Sequence, residues 1–513
     1  VGVEKGTALQ RLKRAETKLR DARPDYTRRE DYYRGAADLP YAPPGVTAEY
    51  EELREQSLVN YIAIAMDAPV QRLRADGIKT NLGKEADDQI WAAWAANKLD
   101  TRQSLVYSSM LQHGRGLMSV WPNKQNKLRP RIRPESVDLV HLEPDPDDPF
   151  TPLWAAKVYD VDDVDNTAPG LVLPSSYLRQ KTVGVVYDGQ TIHRFERGGI
   201  RGTGDWTLVL EATHPMKRVP FSPYDYKPKI TGEPHSGMGP LIRQQDAINT
   251  IRFNTLLAMQ YSAYRQRIIT GFDPRVLDEK GNPVYQKNPD GTIKLDANGN
   301  PIPQLNSPGR VGVDRLLAFP GEKTSVFDLP ESDLENYITV LDSFLTQFFS
   351  TGQVPPQYLL SQMANLSGDA LAGAESTLAS LVKELQLAAG EGNEGVAELA
   401  WYAMGETKEF EPTSETNWAD AEARSFSQIV DAITKLISQG FPKQAAFEMI
   451  PGATQQKVGR WMELIEDEEY SNRLALAARS FTDATDRAPA ELEAGNVTDQ
   501  TEVVTSGAAD SGD

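Results

Sequence analysis

Apolar side chains recur at helical spacing up to about residue 113 and alternate with polar ones from Gly116 to Tyr226. Helical spacing returns from Pro240 onward, broken by one turn-rich insert. The first 23 or so residues alternate Lys and Arg with Leu and Ala, which predicts a short exposed helix. Arg34 to Gly45 reads as loop. Tyr50 to Leu73 reads as one helix with Leu58, Ile62, Ala65, Met66 and Val70 on a face, and Pro69 is expected to kink or end it. Ile90–Leu99 and Ser104–His113 predict two more helices. Short strands follow at Leu117–Trp121, Trp154–Tyr159, Val183–Tyr187 and Thr207–Glu211. Asp188-Gly189 suits the primed turn of a hairpin, because that turn matches strand twist. Acidic loops at Asp145–Asp148 and Asp160–Asp165 are expected between strands. The fold class is α+β with a mixed or antiparallel sheet.

Pro240 to Ile268 is the longest uninterrupted helical pattern in this reading, with Pro240 at the first helical position. At ~1.5 Å per residue it would reach roughly 40 Å. Such a helix either runs through a core or packs against other copies of the chain. The insert after it repeats itself: Leu277-Asp-Glu-Lys-Gly-Asn-Pro-Val is echoed by Leu295-Asp-Ala-Asn-Gly-Asn-Pro-Ile, which predicts a β-meander or extended hairpins. Ser332 and Glu335 form a capping box for the next helix, whose stripe is Leu334, Ile338, Leu341, Leu345 and Phe348. Gly352 is expected to end it. Pro355-Pro356 then open a loop rich in amide and small residues, and Ser367 caps a helix carrying Leu371, Leu378, Leu381, Val382 and Leu385. A break is expected near Gly390, then a helix around Val396–Met404 and a polar stretch from Glu406 to Asp420. An amphipathic helix through Phe426, Ile429, Val430, Ile433, Leu436 and Ile437 stops at Gly440. Another starts at Pro442, and a third is marked by Val458, Trp461, Met462 and Ile465. Beyond Arg479 the composition predicts disorder.

At 513 residues the chain exceeds one compact core. It has no cysteine, which excludes disulfides and thiolate metal sites. No apolar run approaches the ~18 residues of a membrane helix, and the start, Val1-Gly-Val-Glu-Lys, lacks the apolar core of a secretory signal. The net charge of −19 argues against a protein that grips nucleic acid by neutralising phosphates. It is compatible with one that a polyanion slides past.

Chemical motifs are weak. Gly321-Glu-Lys-Thr324 has Glu322 between Gly and Lys and Leu316 five residues before Gly321, so it is not a phosphate loop. Asp296-Ala-Asn-Gly-Asn300 begins like a calcium loop, but Pro301 stands where glycine is needed. His113, His141, His193, His214 and His235 show no metal-ligand spacing. The expectation is no catalysis, no metal and no cofactor. The competing expectations are a metal-dependent hydrolase using Asp147, Asp148, Asp162 and Asp163, and a non-viral cytosolic scaffold.

Three segments carry a family resemblance. Val354-Pro-Pro-Gln-Tyr-Leu-Leu, followed by Asn-Leu-Ser-Gly-Asp-Ala-Leu-Ala-Gly ending at Gly373, resembles the tunnel-loop region of portal proteins of tailed bacteriophages. Pro240-Leu-Ile-Arg-Gln-Gln-Asp-Ala-Ile-Asn249 resembles the opening of their first stem helix, and Gln266-Arg-Ile-Ile-Thr-Gly271 its passage into the clip. His214 through Tyr224, ending Arg-Val-Pro-Phe-Ser-Pro-Tyr, is similar to the strand leading from wing to stem. The segments occur in the family's order and are similar to siphophage portals of Gram-positive or actinobacterial hosts.

The resemblance implies an N-terminal arm (1–24), a wing (25–238), a first stem helix (239–269), a clip (270–330) and a second stem helix (331–352). After these it implies a tunnel loop (353–367), wing return helices (368–420), a crown (421–473) and a tail (480–513). It implies a homo-oligomeric ring of twelve subunits at a capsid vertex of the virion, assembled in host cytoplasm. Double-stranded DNA would pass through it in packaging and ejection. Its partners would be terminase, major capsid and scaffold proteins, and head-completion adaptor proteins, with no membrane. The channel candidates are Gln357, Tyr358, Gln362, Met363 and Asn365 in the loop, and Arg243, Arg252, Arg265 and Arg267 near the first stem helix. Those arginines either face the lumen or pair with Glu331, Asp333, Glu335 and Asp342 of the second stem helix, in the same or a neighbouring subunit.

Overall fold

A computed structural model of the chain describes residues 5–41, 48–162, 180–198, 204–263, 267–270, 275–305, 325–328, 334–355, 368–410, 413–419, 426–450, 453 and 455–493. The elements up to residue 121 are α1 (Lys5–Arg34), α2 (Ala48–Ser57), α3 (Tyr61–Val70), β1 (Ala75–Lys79), α4 (Lys84–Ala96), α5 (Leu99–His113) and β2 (Arg115–Trp121). Then come β3 (Arg131–Glu135), β4 (Val140–Pro144), β5 (Pro152–Asp162), β6 (Gln180–Tyr187), β7 (Thr191–Arg197), β8 (Thr207–Thr213) and β9 (Phe221–Asp225). The remainder is α6 (Gly239–Ala263), β10 (Arg267–Thr270), β11 (Ser325–Asp328), α7 (Leu334–Thr351), α8 (Gly368–Ala403), β12 (Glu415–Trp418), α9 (Phe426–Ser438), α10 (Lys443–Glu448) and α11 (Gln455–Glu493). Two compact units emerge, one from residues 1–26, 66–236 and 367–513, the other from 27–65 and 237–366.

In the first unit the alternating stretch builds two antiparallel sheets, β4-β5-β6-β7-β8 and β3-β2-β9. Between them lie Leu117, Val140, Ala155, Val183, Val185 and Phe221, all buried. Neighbouring residues on a strand point to opposite faces. Trp154, Ala156, Val186 and Phe195 therefore turn the other way, onto Ala8, Leu12 and Ala15 of α1. On the far side, Gly116 of β2 backs onto Val106 of α5, and Ser222 and Tyr224 of β9 meet α8. The layers run α1, five-stranded sheet, three-stranded sheet, then α5 with α8.

Several expectations change. α1 is neither short nor wholly exposed. Ala8, Leu12, Ala15 and Leu19 are buried, and the helix continues through Pro24 to Arg34. Contacts on both sides of the proline hold it together: Ala15 and Leu19 are buried before it, and after it Tyr26 meets the His113 ring edge-on at 5.3 Å and Tyr32 is buried. The expected helix from Tyr50 to Leu73 is two, α2 and α3. Asn60 Oδ1 accepts the Ala63 amide at 3.0 Å and so caps the second. Asp160 and Asp162 lie on β5 rather than in a loop, and Thr182 Oγ1 donates to Asp160 Oδ1 at 2.7 Å. The polar stretch after Glu406 contains β12, paired with β1.

The largest change is α8. It runs unbroken for 36 residues through Gly390, Gly392 and Gly395, and with α11 it exceeds α6 in length. These glycines let the helix lie against β9 instead of ending it. A β-carbon on Gly392 would come within 2.5 Å of Tyr224 Cγ, and one on Gly395 would meet Ser222 Oγ. Across the same seam Ser222 Oγ donates to Gly392 O at 2.7 Å. A buried relay runs from Tyr224 OH to Asn393 Oδ1 (2.9 Å), from Asn393 Nδ2 to Tyr107 OH (3.0 Å), and from Tyr107 OH to Gln103 Oε1 (3.2 Å). Burial pushes both tyrosine hydroxyls above their usual pKa.

The C-terminal helices follow the predicted stripe. Ile429 and Ile433 of α9 pack on Ala446 of α10, and Phe447 meets Trp461 of α11 edge-on at 6.2 Å. Gly440 stops α9 with φ +87°. The α11 backbone stays helical to Glu493, well beyond Arg479, and residues 494–513 lie outside the described residues.

Candidate functional site

The second unit is organised by α6 and α7, which lie side by side and antiparallel. Gln244 Nε2 near the start of α6 donates to Thr351 Oγ1 at the end of α7, at 3.0 Å. Beyond their other ends β10 pairs antiparallel with β11, with Arg267 opposite Asp328. The insert between those strands is built of three tight turns. Asp278, Asp290 and Asp296 each accept nearby backbone amides, and Gly281, Gly291 and Gly299 take φ near +83°. Those amide bonds hold the Asp278 and Asp296 carboxyls below their usual pKa, while Asp290 is lowered first by the Thr292 hydroxyl. The third turn, at Asp290-Gly291, joins the two echoed ones as a repeat.

The opening motif of α6 is structural glue. Gln245 and Asn249 are buried and face the break between α2 and α3. Gln245 Oε1 accepts the Tyr61 amide at 3.1 Å, Asn249 Oδ1 accepts the Val59 amide at 3.3 Å, and Gln245 Nε2 donates to Asn249 Oδ1 at 3.0 Å. Arg252, one helical step further, donates from Nε to Ser57 O at 3.0 Å. Asp246 accepts from Tyr32 OH at 2.6 Å. Burial, then this carboxylate, pushes the Tyr32 hydroxyl well above its usual pKa.

The four candidate arginines therefore separate. Arg252 donates to a backbone carbonyl and makes no ion pair with an acid of α7 among the described residues. Arg243 is exposed and makes no ion pair among the described residues. Arg265 lies outside the described residues, as do Glu331 and Asp333; Arg267 is described only in its backbone. Gln357, Tyr358, Gln362, Met363 and Asn365 also lie outside them.

The end of α7 fixes how the chain leaves toward that loop. Gln353, not Gly352, takes the left-handed conformation, with φ +55°. Its amide donates to Ser350 O at 3.2 Å and the Val354 amide to Phe349 O at 3.0 Å, the paired bonds of a Schellman cap. Val354 and Phe349 are both buried, supplying the apolar contact of that cap, and Tyr61 meets Phe349 edge-on at 6.0 Å. The helix stops at Thr351, next to Gly352 as expected, with the left-handed residue one position further on.

The exposed faces of both helices are polar, with Arg243 the charged group on α6 and Glu335 and Asp342 those on α7. On α6 Arg243, Thr250 and Asn254 share one face; on α7 Thr339, Ser343, Thr346 and Ser350 do. Several hydroxyl protons are already used. Thr250 donates to Asp246 O, Thr339 to Glu335 O and Thr346 to Asp342 O, at 2.8, 3.0 and 2.8 Å. Such a surface offers few free donors to a phosphate. Toward its β11 end the α7 stripe opens: Leu345 and Phe348 are buried, but Ile338 is 56% exposed.

A family model described as "Phage portal protein, SPP1 Gp6-like" matches residues 12–471. The chain belongs to this family of phage portal proteins. The portal protein of Mycobacterium phage L5 is 25% identical over 436 residues, covering 82% of this chain and 80% of that protein. That of Mycobacterium phage D29 is 24% identical over 454 residues, covering 84% and 83%. The chain is thus a capsid portal for DNA packaging, in a family whose role is structural. Among the described residues of this portal no helix is long and apolar enough to cross a membrane. The acidic turn at Asp145–Asp148 bonds within itself: Asp145 Oδ1 accepts the Asp147 amide at 3.0 Å, and Asp148 Oδ2 accepts from Thr151 Oγ1 at 2.6 Å.

Proposed function

We propose that twelve copies of this chain close into a ring whose channel is walled by α6 and α7, with residues 353–367 forming its narrowest loop. Residues 25–238 and 368–420 form the wing, 270–330 the clip and 421–473 the crown. The DNA passes inward during packaging and outward during ejection. Terminase docks during packaging and supplies the hydrolysis. Scaffold and major capsid proteins surround the ring during assembly in host cytoplasm, and head-completion proteins join it to the tail afterwards.

The observation that carries this reading is the α6/α7 pair. The α7 polar face carries the exposed carboxylates Glu335 and Asp342 among hydroxyls of which Thr339 and Thr346 are committed, while Ile338 and Val340 remain uncovered. Uncovered apolar side chains on an antiparallel pair are satisfied when identical pairs stand beside one another. The polar faces then suit a wall past which a polyanion slides without being held.

Substitution Gln362→Lys tests the loop. A ring of added positive charge would increase phosphate contacts and make DNA retention salt-dependent. Ring assembly should be unchanged, while packaging or ejection slows or stalls, most at low salt. Normal packaging and ejection at every ionic strength would mean that the loop does not face the DNA.

A further inference from the structure

The two outer layers of the first unit carry opposite charge. Within that unit α1 contributes Lys5, Arg11, Lys13, Arg14, Lys18, Arg20 and Arg23 against Glu16, Asp21 and Asp25, in a chain of net charge −19. On the opposite outer side α8 carries Asp369, Glu375, Glu384, Glu391, Glu394 and Glu398 against Lys383 alone. Each side also has a groove. Beside α1 a cavity of about 730 Å³ is lined by Lys13, Arg20 and Arg23 together with Leu9, Tyr159 and Trp206. Beside α8 and the edge strand β9 a cavity of about 870 Å³ is lined by Glu391, Glu394, Phe150, Pro223 and Leu387.

Each groove is balanced in part from within: Glu16, Asp160 and Asp205 also line the basic one, where Arg197 pairs with Glu16, and Lys227 pairs with Glu384 in the acidic one. Lys13 and Glu391 are exposed and make no ion pair among the described residues, whereas Arg14 is paired with Glu143 and Glu398 with Arg218. Burial first, then the Glu391 carboxylate, raises the pKa of Glu394. Leu387 stands 76% exposed and Phe150 53%, on the acidic side only.

We infer that the α8 ridge of one copy, led by Leu387 and Glu391, seats in the basic groove beside α1 of the next copy. The inference rests on the ring assembly proposed above and names the contact that closes it. A head-to-tail interface needs two different complementary patches on one chain. They must lie on opposite sides of a rigid unit, or the second copy would block the third. Here the four-layer order puts them there. Leu387 supplies the apolar contact, with Leu9, Tyr159 and Trp206 to receive it, and the charges fix the direction of docking.

Two variants test this. Leu387→Lys/Glu391→Lys puts two positive charges on the ridge contact that should enter the groove; Lys13→Glu/Arg20→Glu puts two negative charges in the groove that should receive it. All four side chains are exposed. Wild-type protein should form rings, read by negative-stain electron microscopy and light scattering. Each variant alone should remain unassembled, with at least a tenfold loss of ring at equal concentration. An equimolar mixture should form rings again, because the lysines on the ridge of one variant now meet the glutamates in the groove of the other, and those rings should weaken with salt. Recovery in the mixture also shows that both variants are folded. Rings from either variant alone, or none from the mixture, would overturn this interface while leaving the wild-type ring intact. Wild-type protein that stays monomeric at every concentration would instead overturn ring assembly, and the interface with it.

Discussion

The ring of Tyr224 fills the space that a β-carbon on Gly392 would need, with Cγ within 2.5 Å of that position. A long helix and an edge strand are thereby brought closer than side chains normally allow. Close approach is what permits Ser222, Tyr224 and Asn393 to bond across the seam. Gly392→Ala should destabilise the chain by about 1–3 kcal/mol, the usual cost of overpacking a filled interior. Gly390→Ala serves as control. Its nearest neighbour would be Glu394 Oε1 at 3.7 Å, ordinary contact, so helix propensity should stabilise by up to about 1 kcal/mol. Urea unfolding of both variants checks the contrast, and equal midpoints would contradict it.

Gln245→Ala leaves the Tyr61 amide without its acceptor, while Asn249 Oδ1 keeps the Val59 amide. A buried unsatisfied amide costs about 1–3 kcal/mol. Arg243→Ala touches no such bond and should change stability by less than about 0.5 kcal/mol. If Arg243 faces the channel, the same variant makes DNA retention by the ring less salt-dependent, since each lost phosphate contact lowers the slope. Thermal melting and a salt titration of DNA retention separate the two effects.

His141 and His214 are both lowered below the usual histidine pKa, chiefly by burial, with Glu143 and the Asp188 carbonyl partly opposing it. The unfolded chain therefore takes up protons at these positions before the folded one does. Stability from them is complete above about pH 6.5 and is lost as pH falls through the lowered folded values. Melting temperature should drop on acidification through that window, and less steeply in His141→Gln/His214→Gln. An identical slope in the double variant would refute the assignment.

Much of this was legible from pattern. The α9 stripe is seen in the packing of Ile429 and Ile433, and Asp188-Gly189 does lie in a hairpin loop between β6 and β7, though without the positive φ of a primed turn. What escaped depends on partners far away in sequence. Gly392 reads as a helix breaker until Tyr224 is seen beside it. Pro24 reads as a stop until Leu19 before it and Tyr26 and Tyr32 after it are seen packed. Arg252 has the charge of a channel residue, yet its partner is the Ser57 carbonyl, a group that no composition or spacing reveals. β12 was missed because four residues, Glu415-Thr-Asn-Trp, are too few and too polar to show alternation.

The α6/α7 wall is tested most directly by cryo-electron microscopy of the purified, assembled protein. The expected result is a closed ring with a central channel, α6 and α7 standing along it, Arg243 and Thr250 turned to the lumen and Ile338 covered by a neighbouring copy. A ring with α6 and α7 on its outer surface, or particles without a central channel, would contradict it.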